Sequence, residues 1–98
     1  MSAKGLVLQA LKDAARSNYS RMLGRFSEEC LRSDESAVRY GPFVYHVALE
    51  VDMMQAATRR YLRILEAEGL VMREPSGMRG SSHRWWPVGF AEVLRGDA

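Results

Sequence analysis

Between residues 55 and 84 every basic side chain is an arginine: Arg59, Arg60, Arg63, Arg73, Arg79 and Arg84. Only Glu66, Glu68 and Glu74 oppose them, whereas residues 1–54 carry equal numbers of acidic and basic side chains. The overall net charge of +2 hides this asymmetry. A guanidinium is a flat fork of donors that stays charged, which matches phosphate oxygens and the guanine edge better than the point charge of lysine does. The competing explanation is a solvated charged face with no partner.

Other side chains offer less. His46 and His83 are far apart in the sequence, and neither has a cysteine or carboxylate at metal-ligand spacing. His46 lies in a mostly apolar helical stretch and reads as structural; His83 is a candidate phosphate or groove contact. Cys30 is the single cysteine, so no intramolecular disulfide forms, and it reads as a small buried apolar residue. No glycine-rich phosphate loop, nucleophile elbow or pair of carboxylates is present, and no helix start follows Gly77-Met78-Arg79-Gly80 to complete an anion site. The expectation is a protein that is not an enzyme, with no cofactor, no metal and no evident small-molecule ligand.

The stretch that must position the arginines is Met54–Val71, MQAATRRYLRILEAEGLV. At helical periodicity Thr58, Tyr61, Leu62 and Leu65 share one face, with Ile64 on its flank. Ala56, Arg59, Arg60, Arg63 and Ala67 fall on the other. Gly69 ends the helix, because glycine takes left-handed backbone angles at little cost. Leu70-Val71-Met72 then leaves as a strand.

The rest of the chain supplies supports for that helix. Leu6, Val7, Ala10, Leu11 and Ala14 recur at helical spacing in Ala3–Arg16. Ser17 and Asn18 favour a turn. Ser20–Arg32 reads as a second helix or a continuation of the first. Glu28, Glu29, Asp34 and Glu35 make an acidic patch, with Ser33–Ser36 as a polar loop. Gly41-Pro42 marks a turn, and a helix starting near Pro42 carries Phe43, Val44, Val47, Ala48 and Val51 on one side. Beyond the arginine helix, Leu70–Glu74 and His83–Val88 are two strands joined by the turn-rich Pro75–Ser82. Trp85 and Trp86 alternate across the second strand, one packing on the core and the other forming a half-exposed cover or a contact surface. Val88–Arg95 forms a last short helix.

The segment Tyr45–Val71, YHVALEVDMMQAATRRYLRILEAEGLV, resembles the winged helix-turn-helix family of DNA-binding domains. Ala48 stands where that family keeps a small residue between its helices, and Val51 at the apolar end of the first helix. Asp52 is in the turn where glycine is common. Met53 matches the apolar residue tucked under the turn, and Thr58, Leu62 and Leu65 match the buried stripe of the recognition helix. The ending LRILEAEGLV is similar to the family's run into its wing. With the hairpin included the resemblance spans residues 45–88; residues 1–40 resemble nothing named.

The resemblance implies a mainly α fold with a small β-hairpin: a winged helix-turn-helix of three or four helices plus wing. One domain is expected, with residues 1–36 as an N-terminal helical extension, 42–68 as the helix-turn-helix and 70–88 as the wing. The implied function is sequence-specific binding of double-stranded DNA by a small cytoplasmic transcription regulator, of a size that fits a bacterial or phage protein. In that reading Gln55, Ala56, Arg59, Arg60 and Arg63 enter the major groove. Arg73, Arg79, Ser81, Ser82, His83 and Arg84 hold the backbone from the wing. The apolar residues of Leu6–Leu31 exceed what a minimal winged helix needs, so a homodimer through the N-terminal helices is expected. No apolar run is long enough for a membrane span. Two other readings stand beside this one. The first is a winged helix used for protein contact, through Met53, Met54, Met72 and Met78. The second is single-strand or RNA binding, with Trp86 stacking on a base.

Overall fold

In the computed structural model, which describes residues 2–21, 28–74 and 83–96, the first helix runs past its expected end. Helix α1 spans Ala3–Arg21 without a break at Ser17–Tyr19. Asn18 is buried there, and its Oδ1 accepts from Arg21 Nη2 at 2.8 Å. Its polar group is thereby occupied and no longer competes with the helical backbone. Of the possible second helix over Ser20–Arg32, residues 22–27 lie outside the described residues, and Glu28–Leu31 is a 3-10 turn. The expected loop Ser33–Ser36 is instead the start of a short helix, α2 (Asp34–Ala37). Ser33 is its N-cap, with Oγ accepting from the Ser36 N–H at 3.1 Å.

A 3-10 turn, Val38–Tyr40, leads to Gly41 and Pro42. These two residues do not begin the next helix. They run beside the second hairpin strand, where the Pro42 carbonyl accepts from the Trp85 N–H at 2.9 Å and Phe43 bridges to Arg84. A Cβ at residue 41 would stand 2.2 Å from the Trp85 carbonyl oxygen, so glycine is required here for close approach. Helix α3 then spans Val44–Val51. The Phe43 N–H donates to His46 Nδ1 at 3.3 Å, the reach-back that a glutamate usually makes at that position.

The turn after α3 depends on Asp52, at φ 54 and ψ 57. Aspartate is one of the few side-chain-bearing residues that enters this region readily. The Met53 N–H then reaches the Ala48 carbonyl at 3.0 Å, and Met53 packs against the core. Helix α4 spans Gln55–Ala67, one residue shorter at each end than the expected 54–68. It closes with the same six-to-one bond: the Leu70 N–H meets the Leu65 carbonyl and the Gly69 N–H meets that of Glu66, both at 3.0 Å, with Gly69 at φ 78.

Strand β1 (Val71–Arg73) pairs antiparallel with β2 (Trp85–Pro87), placing Val71 opposite Pro87 and Arg73 opposite Trp85. Ladder bonds from Glu74 to Arg84 and from Val88 to Leu70 fall on alternate pairs, so Pro87 sits where β1 asks for no N–H. Helix α5 (Phe90–Arg95) follows.

Strand β2 separates two apolar clusters. On one side Trp85 joins Val7, Leu11, Val44, Val47, Leu62, Leu65 and Val71, uniting α1 with the helix-turn-helix. On the other, Trp86 joins Ala15, Leu31, Ala37, Val38, Phe90 and Ala91. Both indoles are buried, so Trp86 is neither a half-exposed cover nor a contact surface. Its Nε1 donates to Asp34 Oδ1 at 3.0 Å, while Asp34 also accepts from the Gly89 and Ala91 N–H groups at 2.8 and 3.2 Å. Asp34 thus ties α2, β2 and the start of α5 together and is not part of an outward acidic patch.

The fold is mainly α with a small β-hairpin, winged-helix-like, with five α-helices among the described residues. Residues 3–21 share the core with the helix-turn-helix. Of the apolar residues that suggested a dimer contact, Val7, Ala10, Leu11, Ala14, Ala15 and Leu31 are buried and Leu6 is exposed, while Met22, Leu23 and Phe26 lie outside the described residues. Among the described residues no helix is long and apolar enough to cross a membrane.

Candidate nucleic-acid interface

Helix α4 is held by its apolar stripe. Leu62 and Leu65 are buried in the cluster with Trp85, and Thr58 is fully buried beside them. The threonine hydroxyl donates to the Met54 carbonyl at 2.9 Å, so a polar atom enters the core without losing its hydrogen bond. Tyr61 is half-buried, and Ile64 is exposed at the flank.

The opposite face is open. Ala56, Arg59, Arg60, Arg63, Ile64 and Ala67 line a shallow groove along the helix. All three arginines are exposed, and none has an ion-pair partner among the described residues. Arg63 lies one turn from both Arg59 and Arg60, a like-charge spacing that costs a few tenths of a kcal/mol per pair. The acidic residues that follow do not neutralise them. Glu66 Oε2 accepts from Arg73 Nε at 2.8 Å, and Glu68 Oε2 is 2.7 Å from Lys4 Nζ. Both carboxylates are drawn sideways, toward β1 and α1, and the arginine face keeps its charge.

The hairpin arginines are arranged differently. Arg73 pairs with Glu66 and lies over the Trp85 ring, 5.6 Å from its centroid. The Arg84 guanidinium donates to the Gly41 carbonyl at 2.9 Å and sits 4.3 Å above the Phe43 ring. His83 is partly buried, and its Nδ1 is enclosed without a hydrogen-bond partner among the described residues. Gln55 is exposed at the start of α4. Arg79, Ser81 and Ser82 lie outside the described residues. Of the expected interface, then, Gln55, Ala56, Arg59, Arg60 and Arg63 share one exposed helix, whereas His83 is partly buried and the partly buried Arg73 and Arg84 are engaged by acceptors and rings of the protein itself.

No family model, no curated protein and no solved structure matches this chain. The geometry of the site is therefore what bears on function.

One feature of the surface escapes a search for charge. Leu49 of α3 and Met54 at the head of α4 are each 78% exposed, and with Tyr45, Met53 and Gln55 they line a second groove at the turn. The signal is present in the sequence, since Leu49 falls outside the stripe formed by Val44, Val47, Ala48 and Val51. Elsewhere, His46 stacks near Phe43 and Tyr45 and is held neutral more strongly than a free imidazole. Partial burial lowers its pKa, and the positive charges of Arg21 and Arg84 lower it further. Among the described residues no group of three or more His, Cys, Asp or Glu could hold a metal ion.

Proposed function

We propose that this protein binds double-stranded DNA through the open face of α4 and acts as a small transcription regulator in the cytoplasm. The observation that supports this reading is the set Arg59, Arg60 and Arg63, exposed on one helix face while the nearby Glu66 and Glu68 pair with Arg73 and Lys4. A straight helix presenting such a face fits the width of the major groove, where arginine pairs with the guanine edge and glutamine with adenine. Gln55 and Ala56 lead the helix into the groove, and the remaining arginine charge meets phosphate. A second copy on the other half of a two-fold site would raise affinity.

The test is selection of bound sequences from a random duplex pool, followed by a salt series on the selected duplex. Affinity should fall steeply as salt rises, with a slope near one counterion per phosphate contact. Replacing Arg59 and Arg63 together by alanine should weaken binding by about 100-fold, at roughly 1–3 kcal/mol for each good contact. Its melting temperature should stay close to that of the native protein. Unchanged duplex affinity in that variant would remove α4 from the interface.

A second reading, a protein-contact module, draws support from the apolar groove of Leu49 and Met54. It predicts association that is insensitive to salt and to the arginine substitutions.

A further inference from the structure

We propose that the apolar head of α4 reads the C5 methyl group of thymine beside a guanine; this rests on the duplex-binding reading above. Beside the exposed Gln55, large apolar side chains also stand in solvent at the leading end of the interface. Leu49 and Met54 are each 78% exposed, and Ala56 follows on the open face of the first turn. The major groove offers donors, acceptors and a single apolar feature, the C5 methyl of a pyrimidine. Leucine, methionine and alanine in the leading position can select only that feature.

Charge decides between a base edge and the backbone. Glu50 and Asp52 are exposed beside Leu49. Carboxylates and aliphatic groups both disfavour a phosphate at this end of the site. The phosphate-compatible charge begins one turn further along α4, at Arg59 and Arg60. The order along the helix is therefore methyl reader first, guanine reader second, which matches a thymine next to guanine on one strand. The three arginines also supply the charge complementarity that makes DNA the occupant of this apolar surface, in preference to an uncharged protein face.

The probe is the tightest duplex recovered from the random pool, with each thymine replaced in turn by deoxyuridine, which removes the methyl and leaves base pairing intact. At one or two positions adjoining a guanine, deoxyuridine should lower affinity about fourfold, the loss of one buried methyl. In Met54→Ala and Leu49→Ala the ratio of thymine to deoxyuridine affinity should fall toward one at the same positions. Both side chains project into solvent, so neither substitution removes a core contact. A second arm replaces cytosine by 5-methylcytosine in a duplex where the thymine has been changed to cytosine; regained affinity would identify the methyl itself as the recognised group. The inference is overturned if no thymine is sensitive, or if sensitivity persists in both variants. It is also overturned if the protein self-associates through this patch, seen as salt-insensitive dimers in sedimentation that Leu49→Asp abolishes. Failure to recover any duplex would instead remove the reading on which the inference rests.

Discussion

Two sets of arginines, on neighbouring elements and identical in chemistry, meet opposite fates. Those of α4 stand in solvent with no counter-charge among the described residues, while Arg73 and Arg84 of the hairpin are each held by an acceptor and an aromatic ring. The difference lies in the elements. A helix that buries a single stripe leaves its other side free. The hairpin strand β2 is covered on both faces by tryptophan-centred clusters, and Arg73, opposite Trp85 on β1, and Arg84, just before β2, find rings and acceptors at its margin. Exposure on an element, more than residue type, separates arginines available for a ligand from arginines that hold the fold. On the proposed duplex-binding reading, the charges engaged within the protein should affect stability and leave DNA affinity per folded molecule unchanged; the free charges of α4 should do the reverse.

The largest effect on stability is expected from the inward charge with the most partners. Asp34 accepts three N–H donors, from Trp86, Gly89 and Ala91. Asp34→Ala strips all three of their acceptor and should cost about 3 kcal/mol or more, since hydrogen bonds to a charged group are worth about 1.5–3 kcal/mol each and are only partly replaced by water. Urea denaturation reads this directly. A loss below about 1 kcal/mol would show that Asp34 is not the tie between α2, β2 and α5. Asp34→Asn keeps the shape and one acceptor oxygen, and should fall in between.

The hairpin arginines come next. Arg84→Ala should cost about 2 kcal/mol, combining a charged hydrogen bond to Gly41 with the contact over the Phe43 ring. Arg73→Ala should cost about 1 kcal/mol, because its ion pair with Glu66 is more than a third exposed on the arginine side and is screened by solvent. Both should leave the salt dependence of duplex binding at its native slope. A flattened slope in either variant would break the division between the two sets.

Much of the arrangement was legible in the sequence, and what was not has a physical cause. The two faces of α4 follow from helical periodicity over a long segment, and its end from Gly69. The alternation of Trp85 and Trp86 follows from strand geometry. The fates of Arg73 and Arg84 did not follow, because one acceptor is seven residues away and the other forty-three. For the same reason Trp86 could not be assigned to the interior: its cover comes from Asp34, fifty-two residues upstream, and from α5. The turn expected at Ser17–Asn18 gave way to a continuous α1 that packs against α3, α4 and β2. Asp52 stood where glycine is common in the resembling family, and its left-handed backbone shows the same turn made by a residue that tolerates it.

The smallest predicted effect concerns the link between α3 and the hairpin. His46 Nδ1 accepts from the Phe43 N–H, and Phe43 is both the bridge partner of Arg84 and the ring beneath its guanidinium. A protonated imidazole cannot accept that bond, and its charge would be repelled by Arg21 and Arg84. Burial and these two arginines hold the folded-state pKa below the ordinary value of 6.5. The unfolded chain therefore takes up the proton first as pH falls. The stability supplied by neutral His46 is fully present above about pH 6.5 and declines as pH drops through the window down to the lowered folded-state pKa. One neutral hydrogen bond is at stake, about 1 kcal/mol, so the effect should be smaller than that of Arg84→Ala. His46→Gln keeps an acceptor at the same capping position and has no titrating group. In that variant the part of the pH dependence below 6.5 that belongs to His46 should vanish, while stability at pH 8 stays close to native. An identical pH profile in His46→Gln and the native protein would show that His46 does not couple protonation to the root of the hairpin.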